Sequence, residues 1–259
     1  HKSELIKRIF IMQPSLLSEI EPPFYITDEV NPQWQFLENC GGYKVVFRQG
    51  ALLYIPNFLN DKEAHNLMHF LVKNDTYPME HDWKSLNEHD LSQVKFENIA
   101  WKQDKIIFGK HERNLPRLTA WHGDLDKPYT YSGITSYPSD WNSGLLWCKD
   151  KIEAVLKNKH FNSVLLNWYR NGQDSISWHS DDEKELGHNP TIASLSLGAT
   201  REFYLRYKTD NYIKFDVPLK NGDLLIMAGE MQQHWEHAIF KVPELNEPRI
   251  NLTYRTIYS

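Results

Sequence analysis

The sequence predicts a mainly β fold of the jelly-roll or barrel class with flanking helices, and three observations predict it. From Ser163 onward eight short β-rich runs follow one another: Val164–Tyr169, Ile176–His179, Ile192–Leu197, Glu202–Tyr207, Ile213–Val217, Asp223–Met227, His234–Phe240 and Ile250–Ile257. Turn-forming residues separate them, at Asn171-Gly172, Gly198, Asp210-Asn211 and Asn221-Gly222. Only two stretches ahead of them carry apolar residues at helical spacing. Eight strands in under a hundred residues favour a two-sheet or closed β architecture over a doubly wound sheet, in which strands alternate with helices.

Taken in order, residues 1–50 mix Pro22, Pro23, Pro32 and Trp34 with no sustained period, and read as an irregular N-terminal extension. Ala51–Ile55 reads as a strand. Asn60 or Asp61 caps a helix whose positions Ala64, Leu67, Met68, Leu71 and Val72 form one apolar face. A second helix is expected from about Asp140 to Asn158, with Leu145, Leu146, Cys148, Ile152, Val155 and Leu156 inward. No internal repeat or low-complexity tract interrupts the chain, so residues 51–259 read as one domain, with two helices covering one sheet.

The 259 residues carry 29 basic and 34 acidic side chains, a net charge of −5, and 41% are hydrophobic. That composition excludes a disordered, collagenous or coiled-coil protein. Apolar runs such as Ile106–Phe108 and Leu224–Ala228 fall far short of the roughly 20 residues of a membrane helix, so no membrane partner is expected. Cys40 and Cys148 match no metal-ligand spacing and read as free thiols of a reducing compartment. The chain begins at His1, which reads as a trimmed or tagged start, and Leu5–Leu17 is broken by Lys7, Arg8 and Pro14, unlike a signal peptide.

Chemistry is concentrated in the β-rich half. In Trp178-His179-Ser180-Asp181 an extended chain sends His179 and Asp181 to the same side, where an imidazole and a carboxylate can share an ion. His234-Trp235-Glu236-His237 offers two candidates for a third ligand. Two histidines and one carboxylate leave coordination positions open, as non-haem Fe(II) oxygenases require and closed structural zinc sites do not. Along the last strand Arg249, Asn251, Thr253 and Arg255 alternate with Ile250, Leu252, Tyr254 and Thr256. Burying that cationic face would be costly unless an anion waited there. The arginine Cα atoms should lie roughly 20 Å apart, suiting opposite ends of a dicarboxylate. The plain alternative is an edge strand with solvated arginines.

These residues together resemble the AlkB family of Fe(II)- and 2-oxoglutarate-dependent dioxygenases, closest to its animal-type DNA and RNA repair branch. The resemblance rests on His179-x-Asp181, His237 and Arg249-x-Asn251-Leu252-Thr253-x-Arg255, with Asn167-x-Tyr169 upstream. It extends to Pro116-Arg117-Leu118-Thr119-Ala120-Trp121, Pro128-Tyr129-Thr130-Tyr131-Ser132, Asp181-Asp182-Glu183 and the run Ile192–Gly198, and covers about Leu52 to Ser259. It implies a double-stranded β-helix core over about 160–259 and a nucleotide-recognition lid over about 95–137. It implies Fe(II) on His179, Asp181 and His237, with His234 the displaced rival, and O2 and 2-oxoglutarate as cosubstrates. Arg249 with Tyr169 would meet the distal carboxylate; Asn167, Asn251, Thr253 and Arg255 would surround the keto-acid end and support it.

The implied reaction is oxidative demethylation of alkylated bases such as 1-methyladenine and 3-methylcytosine in DNA, with RNA or a non-nucleic-acid substrate as the alternative. Trp121, Tyr129 and Tyr131 match positions lining the lid and the base pocket, where aromatic faces stack on a flipped base. Glu183 resembles the acidic position that meets a cationic alkylated base, and counts among both catalytic and substrate-binding residues. Trp101–Arg117 sets Lys102, Lys105, Lys110, Arg113 and Arg117 against Asp104 and Glu112, a net of +3 in an acidic protein, and reads as phosphate-contacting. Within it Ile107-Phe108-Gly109-Lys110 resembles the hairpin of double-strand-specific relatives, with Phe108 as the wedge. The overall expectation is a monomeric intracellular enzyme, nuclear in a eukaryote or cytoplasmic in a bacterium, with a small nucleic-acid footprint.

Overall fold

A computed structural model describes residues 22–72, 99–108, 111–131 and 134–258. Two antiparallel sheets pack face to face, and each of the eight expected C-terminal strands is present. These are β9 (Ser163–Tyr169), β10 (Ile176–His179), β11 (Ile192–Gly198), β12 (Arg201–Tyr207), β13 (Asp210–Leu219), β14 (Leu224–Ala228), β15 (Trp235–Ile239) and β16 (Arg249–Arg255). They divide four and four. In the major sheet the order is β14-β11-β16-β9, and the minor sheet is β10-β15-β12-β13. Successive strands cross between the sheets except for the β12–β13 hairpin, which is the winding of a double-stranded β-helix.

The alternation in sequence explains the layers. Leu52, Leu225, Met227, Phe203, Leu205, Phe215, Val217, Trp235 and Ile239 fill the space between the sheets. The opposite face of the major sheet presents Val164, Leu166, Leu195, Ile226, Ile250 and Leu252 to the two helices. These run Asp61–Val72 and Ser143–Leu156, and all five expected apolar positions of the first are buried. Asn60 and Glu63 cap it reciprocally: each accepts the other's backbone N–H at 3.0 Å. In the second helix Leu146 is 40% exposed rather than inward, because Leu145, Cys148 and Ile152 already occupy the face toward the sheet.

The N-terminal expectation needs correction. Residues 1–21 lie outside the described residues, but β1 (Gln33–Leu37) and β2 (Gly42–Phe47) join β3 (Gly50–Ile55) to extend the major sheet beyond β14. Val45 and Phe47 enter the inner layer there. Gln33 and Gln35 alternate with Trp34 and Phe36, but the run is short and flanked by Pro32 and Gly41-Gly42, so it reads as irregular chain. At the other end β6 (Leu118–Gly123) pairs with β9, so part of the expected lid belongs to the major sheet itself. Two small hairpins remain beside it, β4 (Lys105–Phe108) with β5 (His111–Asn114), and β7 (Tyr129–Tyr131) with β8 (Ile134–Ser136).

Candidate metal centre and anion socket

β10 ends at His179, and its register with β15 sets His179 directly opposite His237. Their ring centroids stand 4.2 Å apart. Asp181 follows two residues later, and the ligand atoms of His179, Asp181 and His237 all lie within 4.8 Å of one another, the one such cluster among the described residues. Asp181 and His237 are buried and His179 half-buried. The Nδ1 of His179 lies 2.8 Å from the Ser177 carbonyl, so it carries the proton and leaves Nε2 as the donor to a metal. His237 stacks on Phe203 at 5.1 Å.

The electrostatics favour a cation. Burial opposes charge on Asp181, but Arg255, then His237 and His179, hold its carboxyl below the usual carboxylate range. Arg255 Nη2 donates to Asp181 Oδ1 at 2.6 Å. Burial, reinforced by His179, pushes His237 down to about 3. At neutral pH the site therefore presents one anion and a neutral imidazole, the form that binds metal. His234 is not part of it. It sits in the helical turn Met231–His234 against Gln49, 3.1 Å away, and Tyr207, so β15 starts at Trp235 instead.

The arginine strand is central in its sheet, between β11 and β9, and not an edge. Arg249, Asn251, Thr253 and Arg255 are all buried and face the minor sheet. Asn251 lies opposite Asn167, and Arg249 opposite Tyr169. Asn251 Nδ2 donates to Ser194 Oγ at 2.7 Å, and Thr253 Oγ1 to Asn251 Oδ1 at 2.7 Å. Arg249 donates to Ser196 Oγ and lies 5.4 Å from the Tyr169 ring.

Burial lowers Arg249 to about 10, with Arg201 adding to the effect against Tyr169, and its Nε has no hydrogen-bond partner. A buried guanidinium facing another cation, with a donor to spare, fits the distal carboxylate of 2-oxoglutarate. The triad fits iron by donor chemistry: two neutral nitrogens, one carboxylate and open positions.

Among the expected substrate residues, Trp121 faces the same interior and donates Nε1 to Ser163 Oγ at 2.6 Å; Ser163 pairs with Arg255. Glu183 follows two residues after Asp181, with Oε2 buried and unpartnered. Arg117 does not face outward as a phosphate contact would. Its Nε donates to Asn167 Oδ1 at 2.8 Å and Nη1 to the Ser175 carbonyl, because β6 carries it over the major sheet. Tyr129 and Tyr131 lie on β7, and Phe108 ends β4; the side chains of these three and the whole of Lys110 lie outside the described residues.

Sequence reading missed Ser194, Ser196, Arg201 and Gln232. The two serines alternate with apolar residues along β11, and Arg201 shares the inward parity of Phe203 and Leu205, so a period-two reading of polar residues could have found them. Gln232 lies in the short helical turn Met231–His234 and left no such signal.

Comparison with known proteins agrees with this geometry. The 2OG-Fe(II) oxygenase superfamily model matches residues 51–255. The chain is 48% identical over 170 residues to Bos taurus alpha-ketoglutarate-dependent dioxygenase alkB homolog 3, covering 62% of this chain and 58% of that protein. It is 37% identical over 158 residues to Homo sapiens DNA oxidative demethylase ALKBH2, covering 58% and 60%. The chain thus spans less than two thirds of the length of either relative. The solved structure of OsALKBH1 superimposes with a TM-score of 0.51 at 16% identity, over 86% of this chain and 100% of that one, a likeness of fold. With the motifs inside the matched span and converging on one ion site and one anion socket, the chain belongs to the 2OG-Fe(II) oxygenase superfamily, and within it to the AlkB family.

Proposed function

We propose that this protein demethylates alkylated bases such as 1-methyladenine and 3-methylcytosine in DNA, oxidatively, with 2-oxoglutarate converted to succinate and the methyl group released as formaldehyde. The observation that carries this reading is the His179, Asp181 and His237 cluster together with an arginine, Arg249, that has no carboxylate partner among the described residues. The names of the relatives, a dioxygenase and a DNA oxidative demethylase, support it.

Bound iron with 2-oxoglutarate and O2 supplies the oxidising power. The chain's own residues orient and exclude. Arg249 and Tyr169 take the distal carboxylate, and the Asn167–Asn251–Thr253 row orients the keto-acid end. Arg255 fixes the Asp181 carboxylate. The layer between the sheets keeps bulk water from the socket. Glu183 offers its unpartnered oxygen to the base, and a carboxylate there favours a cationic methylated base over its neutral parent. Trp121 supplies an aromatic wall.

A second reading, preference for single-stranded DNA or RNA, draws on the basic segment. Lys102 pairs with Asp104 at 3.1 Å and Lys105 with Glu112 at 3.0 Å, while Arg117 is committed to Asn167. Less cationic surface then faces a phosphate backbone than the sequence count implies. Among the described residues no helix is long and apolar enough to cross a membrane. A monomer acting where nucleic acid resides, in a nucleus or a bacterial cytoplasm, completes the proposal.

Formaldehyde release from methylated single- and double-stranded DNA and RNA oligonucleotides tests it. Iron- and 2-oxoglutarate-dependent release from DNA, abolished in His179→Ala, is expected; no release from any oligonucleotide would reject the substrate class. Phe108→Ala should lower duplex turnover selectively, and equal duplex turnover would remove the wedge.

A further inference from the structure

We propose that the helical turn Met231–His234 acts through Gln232 as a positioning device for Asp181, holding the metal's one carboxylate in register with His237. The proposal rests on the metal site described above.

Asp181 lies beyond the end of β10, so no ladder hydrogen bond holds its backbone. Gln232 supplies the missing partner: its Oε1 accepts the Asp181 N–H at 2.9 Å, and the side chain is 1% exposed. Its own amide is occupied, since Nε2 donates to Met227 Sδ at 3.4 Å.

Both neighbours of Asp181 are tied to the same segment. Ser180 Oγ donates to the Trp235 carbonyl at 2.8 Å. Lys208 Nζ bridges the Gln232 carbonyl at 2.9 Å and Asp182 Oδ2 at 3.3 Å. Three successive residues of the metal loop are therefore fastened to residues 232–235, and β15 runs on from there directly to His237. One short stretch of chain thus sets the distance between two ligands, Asp181 in the loop after β10 and His237 on β15.

The residue type follows from the surroundings. A buried backbone N–H without an acceptor is costly. A carboxylate acceptor would place a second negative charge beside Asp181. A neutral amide satisfies the donor without competing for the ion, and its length spans from the turn to the loop.

The test is Co(II) binding to the full chain by titration calorimetry, with hydrogen exchange at the Asp181 amide as a second readout. Gln232→Met keeps the size and removes the acceptor. Its Co(II) affinity is expected to fall about 10–100-fold, the usual effect of losing a group that orients a ligand, with faster exchange at Asp181. Wild-type affinity and exchange in a folded Gln232→Met would overturn the proposal.

Should that variant fail to fold, Lys208→Met decides. Lys208 is partly exposed, and deleting its charge would by electrostatics alone tighten binding of a dication. Loosening the clamp weakens it instead, by about 10-fold on the same grounds; tighter or equal binding would overturn the proposal. A wild type that binds no Co(II) would reject the metal site itself, an outcome separate from either variant's.

Discussion

Arg249 is a cation for which the described residues provide no counter-charge. Ser196 and Tyr169 offer neutral contacts, and Arg201, another cation, opposes its charge. Such a residue weakens the protein without its ligand and strengthens the complex. Arg249→Met should therefore leave the melting temperature of the ligand-free protein unchanged or higher, since an unpaired buried charge is replaced by an apolar chain. The same variant should lose about 2–5 kcal/mol of 2-oxoglutarate affinity, at least about 30-fold. Thermal shift with and without 2-oxoglutarate checks both signs; a large drop in the ligand-free melting temperature would make Arg249 a structural residue. Glu183 and Trp121 were singled out by the family resemblance alone. That Arg117 turns inward was not, because its partner Asn167 is 50 residues away and only the pairing of β6 with β9 brings them together.

Helices and strands carry their own predictions. The helix Asp61–Val72 is closed by the Asn60–Glu63 box, and Lys151 of the second helix reaches Glu63 at 2.8 Å. Asn60→Ala should cost about 1 kcal/mol in a denaturant midpoint, with iron binding unaffected. β6 carries the buried His122, whose Nδ1 donates to the Asp140 carbonyl at 2.7 Å. Burial, against that hydrogen bond, lowers its pKa below the ordinary 6.5. The unfolded chain then takes up the proton first as pH falls, so the stability that neutral His122 contributes is present above about 6.5 and is lost progressively below it. His122→Asn keeps a donor for Asp140 and cannot titrate. Its melting temperature should fall less than the wild type's between about pH 7.5 and about pH 5.5; equal slopes would assign the pH dependence to other groups. The strands of the core were readable because strands covered on both faces, such as Leu224–Ala228, are short apolar runs bounded by turn residues. The hairpin β1–β2 was not, since its alternating run Gln33-Trp34-Gln35-Phe36 is only four residues long and sits between Pro32 and Gly41-Gly42.

For the molecule as a whole, two apolar layers share one sheet, and only the inner one touches the metal strands. Leu205, fully buried, pairs in register with His237; Leu145, equally buried, lies on the helix face of the major sheet. Either residue changed to Ala should destabilise by about 2–5 kcal/mol. Leu205→Ala should also weaken Co(II) binding, whereas Leu145→Ala should leave it intact; chemical denaturation and calorimetry separate the two. Gly198 joins β11 to β12 with φ +84, and a Cβ there would stand 2.4 Å from the Pro248 carbonyl oxygen. Its place in the list of turn signals thus has a steric basis: only glycine lets the β15–β16 connection pass so close.

The sequence by itself determined the strand succession from Ser163 onward, the apolar face of the helix Asp61–Val72 and the ligand types, because apolar spacing, turn residues and donor chemistry are local properties of the chain. It also carried the family resemblance, since those motifs are short and ordered. Which histidine completes the triad by contact, where Arg117 turns, and what holds Asp181 were decided only by the tertiary structure. Those outcomes depend on strand registers and on side chains that meet across two sheets, between residues as far apart as Asp181 and Arg255, and no local pattern encodes such distances.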